Sequence, residues 1–304
     1  MSEPFHAGEI ALQEQTGERD KAILNGRLIG KVIPAPALAF VAQQTYCAVG
    51  WIDGTGAAWA SLVEGPQGFT SCDPDGSTVT VALHGGAPLR STEGVRLSPN
   101  QHLGMLFIEF GTRRRLRVNG TVTEVDPNGF RLSVVEAYPN CPKYIQKRSG
   151  GPGPAAAAPQ GFVREGVGLP EDIDAWLKCT DTMFIASSHA EGGVDCSHRG
   201  GNPGFMKLVS GEIQVPDYPG NSMFGTLGNI RQNPTAGLCL LDFERNEQLH
   251  LSGQAALRFG EAPSEETAGT GRWWTFRAER WAVSALQAGR NWALVESSPY
   301  NPQP

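Results

Sequence analysis

The stretch whose reading decides the fold is NQHLGMLFIEFGTRRRLRVNG (Asn100–Gly120), because it recurs without a gap as NPTAGLCLLDFERNEQLHLSG (Asn233–Gly253). The two share Asn100/Asn233, Gly104/Gly237, Phe110/Phe243, Leu116/Leu249 and Gly120/Gly253, and Glu109 stands opposite Asp242. A second pair lies upstream. WASLVEGPQGF (Trp59–Phe69) aligns on DCSHRGGNPGF (Asp195–Phe205) through Ser61/Ser197, Gly65/Gly201, Gly68/Gly204 and Phe69/Phe205. The halves also end alike, in VEAYPNCP (Val135–Pro142) and VESSPYNP (Val295–Pro302). Glycine matches are common by chance, but two blocks in the same order, both patterned like strands, point to an internal duplication. Two related β domains are expected, with a site between them.

Composition agrees. A chain of 304 residues fits about two domains. Its 38 glycines and 22 prolines exceed the average share of roughly 12% and favour short strands joined by many turns. The net charge of −6 argues against gripping nucleic acid or an anionic membrane. Apolar runs such as 37–42 and 237–241 are far too short to span a bilayer. The opening MSEPFHAGEI has no basic patch followed by an apolar run, so a cytoplasmic, soluble protein is expected. None of the six cysteines forms a CxxC pair, which speaks against a zinc ribbon or a redox dithiol. His6 and Glu9 have ligand-like spacing, but two ligands do not make a metal site.

Four segments follow along the chain. Residues 1–36 carry a helical pattern, an N-terminal arm that Pro34 and Pro36 should end. Residues 37–148 form the first β domain, with strands expected at 46–52, 57–63, 78–83, 104–110, 116–122 and 130–135. Residues 149–161, SGGPGPAAAAPQG, lack side chains able to build a core and read as a linker. Residues 162–304 form the second β domain. It is entered by a short helix near 170–178, with strands at 183–188, 195–199, 205–208, 212–215, 237–243 and 249–259. A helix is expected over 222–232, and late strand and helix over 272–283 and 292–295.

Several of these stretches resemble the pyridoxamine 5′-phosphate oxidase-like split-barrel family, specifically its tandem, two-barrel flavin-nucleotide-binding members. The carriers are FHAGE (Phe5–Glu9), TRRRLRVNG (Thr112–Gly120), NCPKYIQKR (Asn140–Arg148), SHRGGNPGF (Ser197–Phe205), PDYPGNSMFGTLGNIRQNP (Pro216–Pro234) and SPYNP (Ser298–Pro302). The resemblance implies a mainly β protein with minor α: two tandem six-stranded split β-barrels of Greek-key topology behind a helical arm. It implies FMN between the barrels, an oxidoreductase acting on a small organic substrate, and a homodimer. A barrel pair that holds haem, a deazaflavin or a protein partner instead is the alternative.

The residues are compatible with FMN. A phosphate needs backbone N–H groups at a helix start, hydroxyls and cations. Asn221 and Ser222 precede the expected helix, Thr226 and Asn229 lie in its first turns, and Arg199 and Lys207 on neighbouring strands add charge. The plainer alternative is that Asn221 and Ser222 only cap the helix. Flavin-binding relatives usually carry a basic residue just inside this helix, where the chain has Phe224-Gly225-Thr226. In the first half Val63 takes the position of Arg199, and Glu64 and Glu93 fall where a phosphate would sit. One flavin per pair of halves is therefore expected, with its phosphate in the second barrel. His198, Arg117 and Cys141 are candidates near the ring or substrate, while Arg113–Arg115 read as a solvated hairpin tip.

Overall fold

The computed structural model describes residues 3–83, 97–151, 162–190, 193–286 and 291–302. The arm is three short helices: α1 (Ala7–Gln15), α2 (Arg19–Gly26) and α3 (Ala35–Ala42). His6 caps α1 by accepting the Gly8 N–H, while the Glu9 carboxylate accepts the His6 N–H at 3.0 Å. Pro34 and Pro36 open α3 rather than ending the arm. Proline's fixed φ suits a first helical turn, where its missing N–H costs nothing. The first barrel strand begins at Tyr46, where it was expected, and α3 precedes it.

The first sheet holds β1 (Tyr46–Ile52), β2 (Ala58–Glu64), β3 (Thr70–Cys72), β4 (Thr78–Ala82), β5 (His102–Glu109), β6 (Arg114–Asp126) and β7 (Gly129–Pro139), in the order β2-β1-β5-β6-β7-β4-β3. After β8 (Lys147–Gly151), β9 (Phe162–Val167) and α4 (Ile173–Cys179), the second half repeats the plan. Its strands are β10 (Thr182–Ser188), β11 (Val194–Gly200), β12 (Lys207–Val209), β13 (Glu212–Pro216), β14 (Thr235–Asp242), β15 (Glu247–Arg258) and β16 (Trp273–Ala285). Their order, β11-β10-β14-β15-β16-β13-β12, is the first order transposed strand for strand, which establishes the duplication. Each path has seven strands rather than six, because the short pairs β3–β4 and β12–β13 extend one edge, and β9 adds to β16. Helix α5 (Gly225–Gln232) lies between β13 and β14. The corresponding stretch of the first half, with Glu93, falls outside the described residues.

The last element, β17 (Asn291–Glu296), is a strand and not a helix. It pairs with β8, so the chain end returns to the junction of the halves instead of completing the second barrel. Strand β8 includes Ser149–Gly151, and the rest of the expected linker, 152–161, lies outside the described residues.

Period-two alternation divides the strands between three cores. On β1, Cys47, Val49 and Trp51 enter the first barrel, while Ala48 faces the other half. On β10, Met183 and Ile185 enter the second barrel, while Phe184 and Ala186 face the first. The faces that meet, with Leu62, Ile108, Phe110, Leu241 and Phe243, form an apolar core between the barrels. Strands buried on both faces read as continuous apolar runs. The repeated glycines permit the close approach: a Cβ on Gly104 would lie 2.5 Å from the Cys196 nitrogen, and one on Gly237 2.5 Å from the Ala58 oxygen.

Candidate functional site between the barrels

Where β6 of the first barrel faces β11 of the second, a recess of about 990 Å³ opens, part of it to solvent. Its floor follows from strand alternation. Arg115 and Arg117, two apart on β6, point at β11, which presents Ser197, His198 and Arg199. The loop after β7 supplies Cys141, Lys143 and Tyr144. The opposite wall is the segment from Asp217 to Thr226, where Ser222 and Phe224 hold left-handed φ of 63° and 64°. Such conformations cost about 1–3 kcal/mol each for side-chain-bearing residues and persist only where neighbours impose them. The arm imposes them. Gln13 Nε2 donates to the Met223 oxygen (2.9 Å), Asn25 Nδ2 to the Asn221 oxygen (2.7 Å), and Ser222 Oγ to Glu18 Oε2 (2.6 Å).

Electrostatics sort the cations into two sets. Arg117 is committed: it pairs with Asp195 at 2.8 Å and donates to the Tyr138 hydroxyl (3.0 Å) and to Ser197 Oγ. Burial disfavours its charge, but Tyr138 and Asp195 outweigh that and hold it firmly protonated. Arg272 is committed too, to Asp217 (2.9 Å) and Glu18 (2.8 Å). Arg115, Arg199 and Lys143 form no ion pair among the described residues. Burial, with repulsion from Arg199 and Arg117, brings Arg115 down to about 9 even though Cys141 opposes the shift. Burial and Arg117 likewise lower Arg199 against the pull of Asp217. Arg199 Nη1 donates to the His198 oxygen (3.2 Å), whereas its Nε is buried without a partner among the described residues. Packing like charges in a desolvated recess is unfavourable until an anion arrives.

Of the residues expected to grip phosphate, Arg199, Asn221, Ser222 and Thr226 line the recess. Three of these are already engaged. Thr226 donates to Ser197 Oγ (2.9 Å), Ser222 to Glu18, and Asn221 Oδ1 accepts the Met223 N–H (3.1 Å). Helix α5 starts at Gly225, so Asn221 and Ser222 do not cap it. Lys207 is a correction: it pairs with Glu266 on the surface, away from the recess. Asn229 is another. It is fully buried and bonds Asp195 (2.7 Å), Ser187 (3.0 Å) and His6 (2.9 Å). His198, Arg117 and Cys141 all line this recess. Arg115 was expected on a solvated hairpin tip but is drawn in, its Nε donating to the Cys141 oxygen at 2.7 Å. Only strand phase could have shown this, since Arg115 and Arg117 share a face of β6. Lys143, Tyr144, Asp217 and Tyr218 lie within the quoted stretches 140–148 and 216–234 without having been singled out, and Arg272 had no local signal. The charge missing inside α5 is partly supplied by Arg272, whose guanidinium lies 5.1 Å from the Phe224 ring centroid.

Comparison with known proteins bears on the second half. Residues 169–291 match the family described as pyridoxamine 5′-phosphate oxidase. The second barrel is therefore similar to the pyridoxamine 5′-phosphate oxidase family. The first half repeats its strand order. Among solved structures, HupZ from Group A Streptococcus is 14% identical, covering 43% of this chain and 98% of its own, with a TM-score of 0.30. HutZ, described as a heme storage protein from Vibrio cholerae, is 11% identical, covering 38% of this chain and 94% of its own, with a TM-score of 0.27. An F420 reductase is 11% identical, covering 36% and 95%, with a TM-score of 0.27. No curated protein matches the chain.

The pseudo-symmetric position, where β15 faces β2, is filled. Gln248 stands where Arg115 does in the first half, and its Oε1 accepts the Leu62 N–H at 2.9 Å. His250 replaces Arg117; its ring nitrogens bond the Ala60 oxygen and Ser284 Oγ, both at 2.8 Å. Phe162 of β9 packs on that imidazole at 5.6 Å. Val63 pairs with Cys47 as Arg199 pairs with Met183, so the position expected to lose its arginine does.

A second recess lies behind the Arg117–Asp195 pair, lined by His6, Glu9, Asn119, Glu136 and Asp195, with Tyr138 shared between the two. Burial, then Asp195 and Glu136, push the Glu9 carboxyl up to about 8. Burial and Asp195 raise Glu136 as well.

Proposed function

We propose that the chain holds FMN in the recess between its barrels and works as an FMN-dependent oxidoreductase on a small organic substrate. The observation that carries this is the unpaired cation set Arg115, Arg199 and Lys143, in a protein whose net charge is −6. An anionic group fits there: it would relieve the repulsion between Arg115 and Arg199. Tyr144 and Tyr218, with ring centroids 4.9 Å apart, offer aromatic surface at the same recess. When bound, the flavin supplies hydride or electron exchange at its ring. The protein's part is to bind and orient. Arg115 and Arg199 hold the anionic end, and the 217–226 wall, braced by the arm, limits the depth of the recess. Cys141 stands near the substrate side of this reading, and the working unit is a homodimer of two-barrel chains.

A non-catalytic pair holding a deazaflavin, haem or a protein partner is the second reading. One observation favours it: Arg272 and Ser222, nearest the start of α5, are already occupied by Glu18 and Asp217. An absorbance scan separates the two. Purified protein, alone or with added FMN, should show the yellow flavin spectrum. Arg199→Ala and Arg115→Ala should each weaken FMN binding about tenfold or more, the usual loss for a charge-assisted hydrogen bond. A colourless protein indifferent to FMN, or one with an intense Soret band, contradicts the first reading.

A further inference from the structure

The stretches Asn140–Arg148 and Ser298–Pro302 meet beside the main recess, where a buried amide network ties down the chain end. Ser298 N–H and Asn301 Nδ2 donate to Gln146 Oε1 at 2.8 and 3.1 Å. Asn301 Nδ2 also donates to Asn202 Oδ1 (2.9 Å), and Gln146 Nε2 to the Gly201 oxygen (3.0 Å). Both acceptors lie just past the end of β11, the strand that carries Arg199. Ser298, Asn301 and Gln146 are all buried. Two residues of the recess hang on this network. Ser298 Oγ accepts the Tyr144 N–H (3.1 Å), and the Lys143 ammonium lies 5.2 Å from the Tyr300 ring centroid.

Tyr144 has a left-handed φ of 64°, a costly conformation for a bulky residue that persists only where neighbours impose it. What the position gains is a ring that crosses the recess. Its backbone is fixed to the chain end, while its hydroxyl donates to the Pro219 oxygen on the opposite wall (3.1 Å). Its ring centroid stands 4.9 Å from that of Tyr218. Both tyrosines line the recess and are only half-buried, so they remain within reach of a bound molecule.

We propose that Tyr144, with Tyr218, is the ring-contacting wall of the recess, and that Ser298, Asn301 and Gln146 are positioning residues. They hold Tyr144 and Lys143 in register with Arg199. The proposal rests on the reading of the recess as the FMN site and deepens it. The flat part of the ligand meets the tyrosines and its anionic end meets the cations, so the class favoured is an aromatic ring system joined to an anionic group. Anchoring the chain end alone would need neither a strained tyrosine nor a bond to its amide.

The test is a titration of full-length protein with FMN, read by affinity and by the emission of the bound flavin. A tyrosine against a flavin ring quenches its emission by electron transfer, and a phenylalanine does not. FMN bound to the unaltered protein should therefore be dark. Tyr144→Leu should weaken binding about tenfold. Tyr144→Phe, which keeps the ring, should stay within about threefold of the original affinity yet leave the bound flavin brighter. Asn301→Ala should also brighten it and weaken binding about threefold or more, although no group in the recess is removed. Ser298→Ala, which loses one hydroxyl, checks the same point should Asn301→Ala fail to fold. A lowered melting temperature with the bound flavin as dark as before assigns the network to stability and overturns the positioning role. Unchanged emission in Tyr144→Phe overturns the ring contact and leaves the FMN reading standing. Unaltered protein that binds no FMN overturns that reading as well.

Discussion

At the scale of single residues, burial decides which charges are structural and which are available. Arg117 and Arg272 are ion-paired, while Arg115 and Arg199 form no ion pair among the described residues, although all four line one recess. Sequence phase marked Arg117 and Arg199 but could not rank them, because pairing with Asp195 depends on contact between halves 78 positions apart. Glu9 yields a prediction of opposite sign to the usual carboxylate. Its folded value of about 8 lies above the ordinary 4.5, mainly from burial, so between those values the folded state binds the extra proton. Stability is therefore complete below about pH 4.5 and declines as pH rises through 8, by up to about 1.4 kcal/mol per pH unit. Urea unfolding at pH 6 and pH 8.5 should show the native protein weaker at the higher pH. Glu9→Gln should flatten that difference, and an unchanged slope in the variant would assign the effect elsewhere.

Among elements, the glycines of the repeated stretch do the work that a sequence alignment cannot explain. Gly104 on β5 and Gly237 on β14 touch the backbone of the opposite barrel's second strand, so neither position has room for a side chain. Gly104→Val or Gly237→Val should each lower unfolding stability by about 3 kcal/mol or more, because the obstacle is backbone and cannot rotate away. A loss under about 1 kcal/mol would mean that the barrels do not dock along these strands. The duplication was legible in these same residues, and so was the hairpin each half builds from them. The α5 start was not. Asn221 and Ser222 look like caps, but the arm's Gln13, Glu18 and Asn25 bond this segment and hold it in left-handed turns. Long-range bonds of that kind leave no local trace. Glu18→Ala should release Ser222 and Arg272, lowering the melting temperature and making the segment after Pro219 exchange its amide hydrogens faster.

For the molecule as a whole, the two barrels share one topology, and among the described residues their two related clefts differ in charge. The cleft between β6 and β11 keeps its cations. The related one between β15 and β2 is closed by Gln248, His250 and Phe162. Legibility followed the same division: Val63 in place of Arg199 was readable from the alignment, whereas β9 packing over the lost site was not, since β9 follows the linker and pairs with β16. The central claim is that one recess per chain binds one flavin through Arg115 and Arg199. Titration of the protein with FMN, followed by isothermal calorimetry at known chain concentration, tests it most directly. The account predicts one FMN per chain, bound at least about tenfold more weakly by Arg199→Ala. Two FMN per chain, or one bound equally well by the variant, would contradict it.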